Sequence, residues 1–193
     1  ASIDINKVLC LTGDQPSENG PKAVNEFNGA SLIELINILN SGKITDGTEI
    51  TSAKEIYAGA ADDLYTHQSK PEAVDSLISK INLGAKFVQT QYCFDIDVIR
   101  FYSDLLMNNG KNNSWKVLVG MGPLKSAKQA DWMRNNLWGI NISDDIIYRL
   151  DSASDSVEEG EKICIELIDK VRELPGIDGI HLMGPNCESQ SAN

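Results

Sequence analysis

The sequence predicts an α/β domain built on a parallel sheet, on three observations. Short apolar runs of strand length alternate with longer segments of helical period along the whole chain, the order that produces βαβ units. The strand-like runs are continuously apolar instead of alternating, as strands buried on both faces are. Each run also stops at polar or turn-forming residues, where parallel α/β folds place their ligands, beyond the carboxyl ends of the strands.

Each element can be justified in order. KVLCL (7–11) is the first strand, stopped by the turn cluster TGDQP. ASLIELINILNSG (30–42) carries Leu32, Leu35, Ile36 and Leu39 at helical spacing and stops at Gly42. EIYAGA (55–60) is the second strand. In PEAVDSLISKINLG (71–84), Pro71 sits near a helix start, Val74, Leu77, Ile78 and Ile81 form one face, and Gly84 is the stop. GAKFVQTQYCFD (84–95) is the third strand, and DIDVIRFYSDLLMNNG (95–110) a helix with Val98, Ile99, Tyr102, Leu105 and Leu106 on a stripe. WKVLVGM (115–121) is the fourth strand and KSAKQADWMRNN (125–136) the helix after it. SDDIIYRL (143–150) opens on Ser143 as an N-cap. SVEEGEKICIELIDKVREL (156–174) is a longer amphipathic helix whose Glu158, Glu159 and Glu161 suit the positive end of its dipole. GIHLMG (179–184) is the last strand. Segments 15–29 and 41–53, rich in Gly, Asn, Ser and Asp, read as loops. No composition break divides the chain, so residues 1–193 are expected to form a single domain.

Composition narrows the function classes. A net charge of −11 and a pI near 4.6 argue against nucleic acid, because phosphate backbones are bound with Lys and Arg. No run of some 18 apolar residues is present, so no membrane span is expected, and ASIDINKVLCL enters a strand without a leader pattern. Cys10, Cys93, Cys164 and Cys187 are scattered without a CxxC pair, the usage of free thiols in a reducing cytoplasm. His67 and His181 lie far apart in sequence, so no histidine-based metal site is expected. Trp115, Trp132 and Trp138 read as core or helix-packing aromatics, and KSAK (125–128) as an exposed helix start or the anchor of an anionic tail.

The polar residues at the strand ends make one rim: Gly13 to Pro16, Ala61 to Asp63, Thr90 and Gln91, Gly120 to Pro123, and Pro185 to Cys187. Gln91 offers two donors and an acceptor, and Asp14 an acceptor-only carboxylate. Together they suit the edge of a heterocycle carrying N–H and C=O groups. Taken singly, Asp14 also fits an Asx-turn and Gln91 a buried hydrogen-bonded amide. Cys93 lies two residues beyond Gln91, but no histidine near it in sequence would activate a catalytic thiol.

LTGDQP (11–16), the block 76–95 ending in LGAKFVQTQYCFD (83–95), KVLVGMGPLKSAKQA (116–130), ISDDIIYRLD (142–151) and GIDGIHLMGPN (176–186) resemble, in order and spacing, the methylenetetrahydrofolate reductase family. The resemblance covers roughly the family's C-terminal two-thirds. It implies a (β/α)8 TIM-barrel wall of which about five of eight strands are present. It also implies FAD as cofactor and hydride transfer from NAD(P)H to 5,10-methylenetetrahydrofolate, giving 5-methyltetrahydrofolate, in one-carbon metabolism and methionine biosynthesis. Carried over by position, Asp14 is the catalytic and folate-binding aspartate and Gln91 the folate-binding glutamine. Thr12, Gly13 and Asp14 form the flavin-adjacent turn, Ala58 lies along the flavin, and Ser76 and Lys80 lie near its phosphates. The family's usual tyrosine and histidine fall on Ala60 and Leu64, a phenylalanine on Ala127, and a late arginine on Cys187. The general acid is expected from outside the matching units. Two other readings accompany this one: a flavin-free relative that binds a folate or pterin, and a non-catalytic subunit. The missing strands would come from a longer chain of which this is a fragment, or from a homo-oligomer or partner chain.

Overall fold

The computed structural model describes residues 5–13, 20, 22, 26–51 and 54–184. Five strands, β1 (Lys7–Cys10), β2 (Tyr57–Asp62), β3 (Phe87–Tyr92), β4 (Lys116–Met121) and β5 (Gly179–Leu182), form one sheet in chain order, each neighbouring pair parallel. Strand order equal to chain order is what consecutive βα units of a barrel wall produce, so the α/β class and the partial-barrel architecture both hold. Between the strands lie α1 (Gly29–Asn40), α2 (Leu64–Ser69), α3 (Val74–Asn82), α4 (Ile96–Asn108), α5 (Ala127–Asn136), α6 (Asp144–Ser152) and α7 (Ser156–Val171).

Helix starts follow from short polar side chains. Asn28 and Ser31 form a reciprocal capping box at α1, and Asp63, Asp95, Ser126, Ser143 and Asp155 each accept main-chain N–H groups at their own helix, an interaction worth about 1 kcal/mol at a typical N-cap. Ser143 caps where the sequence places it. The sequence reading misses α2 and ends β2 two residues early, at Ala60. The reason is Asp63: it reads as a rim residue, but its carboxylate accepts from Tyr65 N and Thr66 N at 3.2 Å and from Thr66 Oγ1 at 2.7 Å, which starts a helix at once.

Side chains alternate across each strand. Ala58, Ala60, Val88, Val117 and Val119 face the helices and, with Ile33, Leu77, Ile99, Tyr102 and Leu106, make the main core. Each buried Val, Leu or Ile among them contributes about 1.5–3 kcal/mol by leaving water. A second cluster, including Tyr92, Phe94, Leu124, Met133, Ile142 and Leu150, joins α5, α6 and α7 near the carboxyl ends of the strands. The opposite face carries Gln89, Leu118 and His181, all half-buried. Of the tryptophans only Trp115 is core, at 3% exposure; Trp132 is 55% and Trp138 76% exposed, which corrects the reading of all three as packing residues. Trp115 lies under Lys111, whose ammonium sits 4.9 Å from the ring and 3.0 Å from Asp178.

The pairing of β3 with β4 is irregular, and this shapes the site. Gln89 pairs with Leu118, but Tyr92 pairs with Gly120, so β3 carries one extra residue, a β-bulge. The Thr90 hydroxyl accepts from Gly120 N at 2.9 Å and donates to Gln91 O at 2.9 Å, pinning the bulge. Gly120 is required there: a Cβ would lie 2.5 Å from Thr90 O and 2.8 Å from Gln91 O.

Candidate functional site

At the carboxyl ends of the strands the sheet opens into a cavity of about 690 Å³, lined from β1 by Leu9 to Gly13, from β2 by Ala61 to Asp63, from β3 by Gln89 to Gln91, and by Lys80, Trp138, His181 and Met183. That volume lies in the roughly 300–1,000 Å³ range of small-molecule sites, at the end of the sheet where parallel α/β folds bind ligands.

The structure brings Thr12, Gly13, Lys80 and Gln91 together around this cavity. Asp14 lies outside the described residues. Thr12 Oγ1 accepts from Gly29 N at 3.2 Å, which ties the turn after β1 to the first residue of α1. Gly13 adopts φ +80°, a conformation glycine tolerates without strain. Lys80 reaches in from α3, and its ammonium donates to Ala61 O at 3.2 Å. Gln91 Oε1 accepts from Tyr92 N at 3.1 Å. Its carbonyl is thereby committed to the strand end, and its NH₂ is the group left to donate into the cavity.

Two expected members do not join. Ala58 is 2% exposed in the main core, because strand alternation turns it to the helices. Ser76 is exposed on α3, away from the cavity lining. Cys93 is fully buried beside Tyr65 Oη, 3.6 Å away, and Asp95 O, 3.5 Å away. Burial, the largest influence, pushes its thiol up to about 11, the reverse of an activated nucleophile. Ser126 of KSAK caps α5, as a plain helix start does.

Three lining residues, Gln89, His181 and Trp138, escaped the sequence reading of the site, and a fourth, Asp62, was read only as part of the rim. Gln89 is visible as the second glutamine of the third strand, and two-residue spacing from Gln91 was the available signal. His181 lines the cavity with Nδ1 buried and without a hydrogen-bond partner among the described residues. Trp138, in the segment between α5 and α6, puts a largely exposed ring at the rim, and no periodicity marks it. Asp62 sits at the last position of β2 with Oδ2 accepting from Tyr102 Oη at 2.7 Å and His67 Nε2 at 2.8 Å. Burial and the neighbouring Asp62 raise the Tyr102 phenol well above its usual value, so it remains a donor.

Among the described residues no group of three His, Cys, Asp or Glu side chains converges as a metal site, and no helix is long and apolar enough to cross a membrane. Amide donors, carboxylates and an aromatic rim suit a planar heterocycle rich in N–H and C=O groups.

Comparisons with known proteins bear on the fold and the family. A solved structure described as an uncharacterized protein from Clostridium thermocellum that binds two copies of 5-methyl-5,6,7,8-tetrahydrofolic acid is similar to this chain, with a TM-score of 0.52 and 19% identity. The match covers 72% of this chain and 51% of that one, so the chain spans about half the length of that relative. At this identity the likeness establishes the fold. A comparison with curated protein sequences gives no match. The model of the methylenetetrahydrofolate reductase family matches residues 1–193. The chain belongs to the methylenetetrahydrofolate reductase family.

Proposed function

We propose that this chain binds a reduced folate, with the pterin ring in the cavity at the carboxyl ends of β1, β2, β3 and β5, and serves one-carbon metabolism. The observation that carries this reading is the pair of glutamine side chains, Gln89 and Gln91, lining one cavity in a member of this family. The Gln91 NH₂ donates to a ring carbonyl or ring nitrogen, Gln89 reads a second polar edge, and Asp14 accepts an N–H pair. The Trp138 ring shields the open side from water. The relative's ligand, 5-methyl-5,6,7,8-tetrahydrofolic acid, carries the groups such a site reads.

The finer activity implied by the family is the reduction of 5,10-methylenetetrahydrofolate to 5-methyltetrahydrofolate, with NAD(P)H and FAD. The described residues do not suit the FAD pyrophosphate. Lys80 is the one Lys or Arg among the described residues lining the cavity, and one of its three N–H groups donates to Ala61 O. Asp62 and Asp63 place two carboxylates at the adjoining strand end, which would repel phosphate. Ala58 and Ser76, the other expected flavin contacts, lie in the core and at the surface. The flavin-free reading is therefore favoured. The flavin-dependent reductase is the second reading, supported by the family match over the whole chain. In either case, among the described residues β1 and β5 each have one strand neighbour, and the same proposal has these edges covered by further barrel strands, from a longer chain or from a second copy or partner chain.

Titration calorimetry with 5-methyltetrahydrofolate and an absorption spectrum of the purified protein test this reading. Folate binding by a colourless protein is expected. Absence of folate binding overturns the proposal, and a flavin spectrum transfers support to the reductase.

A further inference from the structure

Asp62 satisfies two buried donors and yet also lines the cavity. Strand alternation turns its side chain toward the helices, where a carboxylate is costly unless it is paired. Two donors meet it there: the Tyr102 phenol from α4 and His67 Nε2 from α2, at 2.7 and 2.8 Å. Tyr102 is 0% and His67 1% exposed, and their rings pack with centroids 5.3 Å apart. Both donors fall on the same oxygen, Oδ2. Among the described residues Oδ1 has no donor, yet it is not an orphaned buried atom either, because Asp62 lines the cavity and its side chain stays 13% exposed. Two buried aromatic groups thus hold one oxygen and leave the other facing the space where a ligand would sit. Asp62 pairs in register with Thr90, which places it beside the strand position between Gln89 and Gln91.

We propose that Asp62 is a ligand-binding residue whose Oδ1 accepts an N–H from a nitrogen heterocycle bound in the cavity, with Tyr102 and His67 as positioning residues. The identity of that heterocycle as a pterin rests on the folate reading above. Because the Oδ2 acceptor sites are filled from the protein side, the carboxylate offers one oxygen to the ligand. It therefore suits a single ring or amino N–H better than a guanidinium-like fork, which needs both oxygens. The same charge selects against phosphate-bearing ligands.

The test uses Asp62→Asn, in which the amide oxygen still accepts from Tyr102 and His67 while an NH₂ donor replaces the acceptor facing the cavity. The affinity for 5-methyltetrahydrofolate is expected to fall about tenfold to a hundredfold, the scale of one buried hydrogen bond replaced by a donor–donor clash. The double variant Asp62→Asn/Tyr102→Phe should bind no more weakly than Asp62→Asn alone, although Tyr102→Phe by itself weakens binding, since a positioning residue acts through the group it positions. A purely structural Tyr102 would give additive losses and overturn its role. Wild-type binding with an undiminished Asp62→Asn variant overturns the assignment of Asp62 and leaves the folate reading standing. A wild-type protein that binds no folate overturns the folate reading itself. Should Asp62→Asn fail to fold, Tyr102→Phe decides alone: folded protein with wild-type affinity refutes the proposal, and folded protein with reduced affinity supports it.

Discussion

Replacing Gly120 with alanine tests whether the β3–β4 irregularity organises the site. The new methyl would stand 2.5 Å from Thr90 O and 2.8 Å from Gln91 O, both main-chain atoms that no side-chain rotation can move aside. Gly120 also gives its N–H to Thr90 Oγ1 and accepts from Cys93 N, each at 2.9 Å, so β3 cannot back away without stretching two hydrogen bonds. Overpacking of this kind costs about 1–3 kcal/mol. A chain of this size loses about 2–4 °C of melting temperature per kcal/mol, so a drop of about 2–12 °C is expected. Because the displaced segment carries Gln91, folate affinity should fall with stability. Gly160→Ala supplies the comparison. Its Cβ would lie 1.7 Å from Leu124 O, outside the cavity lining, so stability should fall while the remaining folded protein keeps its affinity. Thermal melts and calorimetric titration of both variants read these quantities. A Gly120→Ala protein that melts and binds like wild type would refute the claim that the bulge positions Gln91.

Other outcomes follow from the same geometry. Gln91→Ala should weaken folate binding about tenfold to a hundredfold, the scale of one lost buried pairing, with little change in melting temperature; unchanged affinity in calorimetry would remove Gln91 from the site. Asp178→Asn leaves the Lys111 ammonium, 3% exposed, without its carboxylate partner, and should destabilise by about 3 kcal/mol in urea unfolding. Burial works against the Asp178 charge, but Lys116, the Val117 N–H and Lys111 outweigh it and hold the carboxyl below its usual value. A depressed folded-state value stabilises above the unfolded value of about 3.9 and is lost as pH falls through the folded one. The gap between wild type and Asp178→Asn should therefore be full at neutral pH and close below about pH 4, and a gap independent of pH would exclude this linkage. Cys93, raised to about 11 by burial, should resist iodoacetamide at pH 8 in the folded protein, as mass mapping can check. Ligand-induced quenching of tryptophan emission should shrink far more in Trp138→Phe than in Trp115→Phe, since only the former ring lines the cavity.

How far the site was legible depended on whether each residue's role is local. Gln91 could be placed because a polar residue ending an apolar run marks a strand's carboxyl end in any parallel sheet. Asp62 and Asp63 read alike as rim acids, yet one caps α2 and the other is gripped by Tyr102, forty positions away in sequence. Lys80 came from a resemblance, and the structure adds that its ammonium is engaged by Ala61 O. Ala58 was misplaced because the strand's phase, not its location, decides which face a side chain takes. Trp138 and Trp132 were misread because a single aromatic residue in or beside a short helix carries no periodic signal of burial.

By itself the sequence determined the order of the strands, the parallel sheet and the end of the sheet where the polar rim lies, which follow from local hydrophobic period and turn chemistry acting over a few residues; the family came from the resemblance of five motif blocks. Only the tertiary structure decided that β3 bulges against Gly120, that Oδ2 of Asp62 accepts from both Tyr102 and His67, and that Lys80 donates to a carbonyl. Each of those depends on distances between segments brought together by folding, and a linear pattern does not encode such distances.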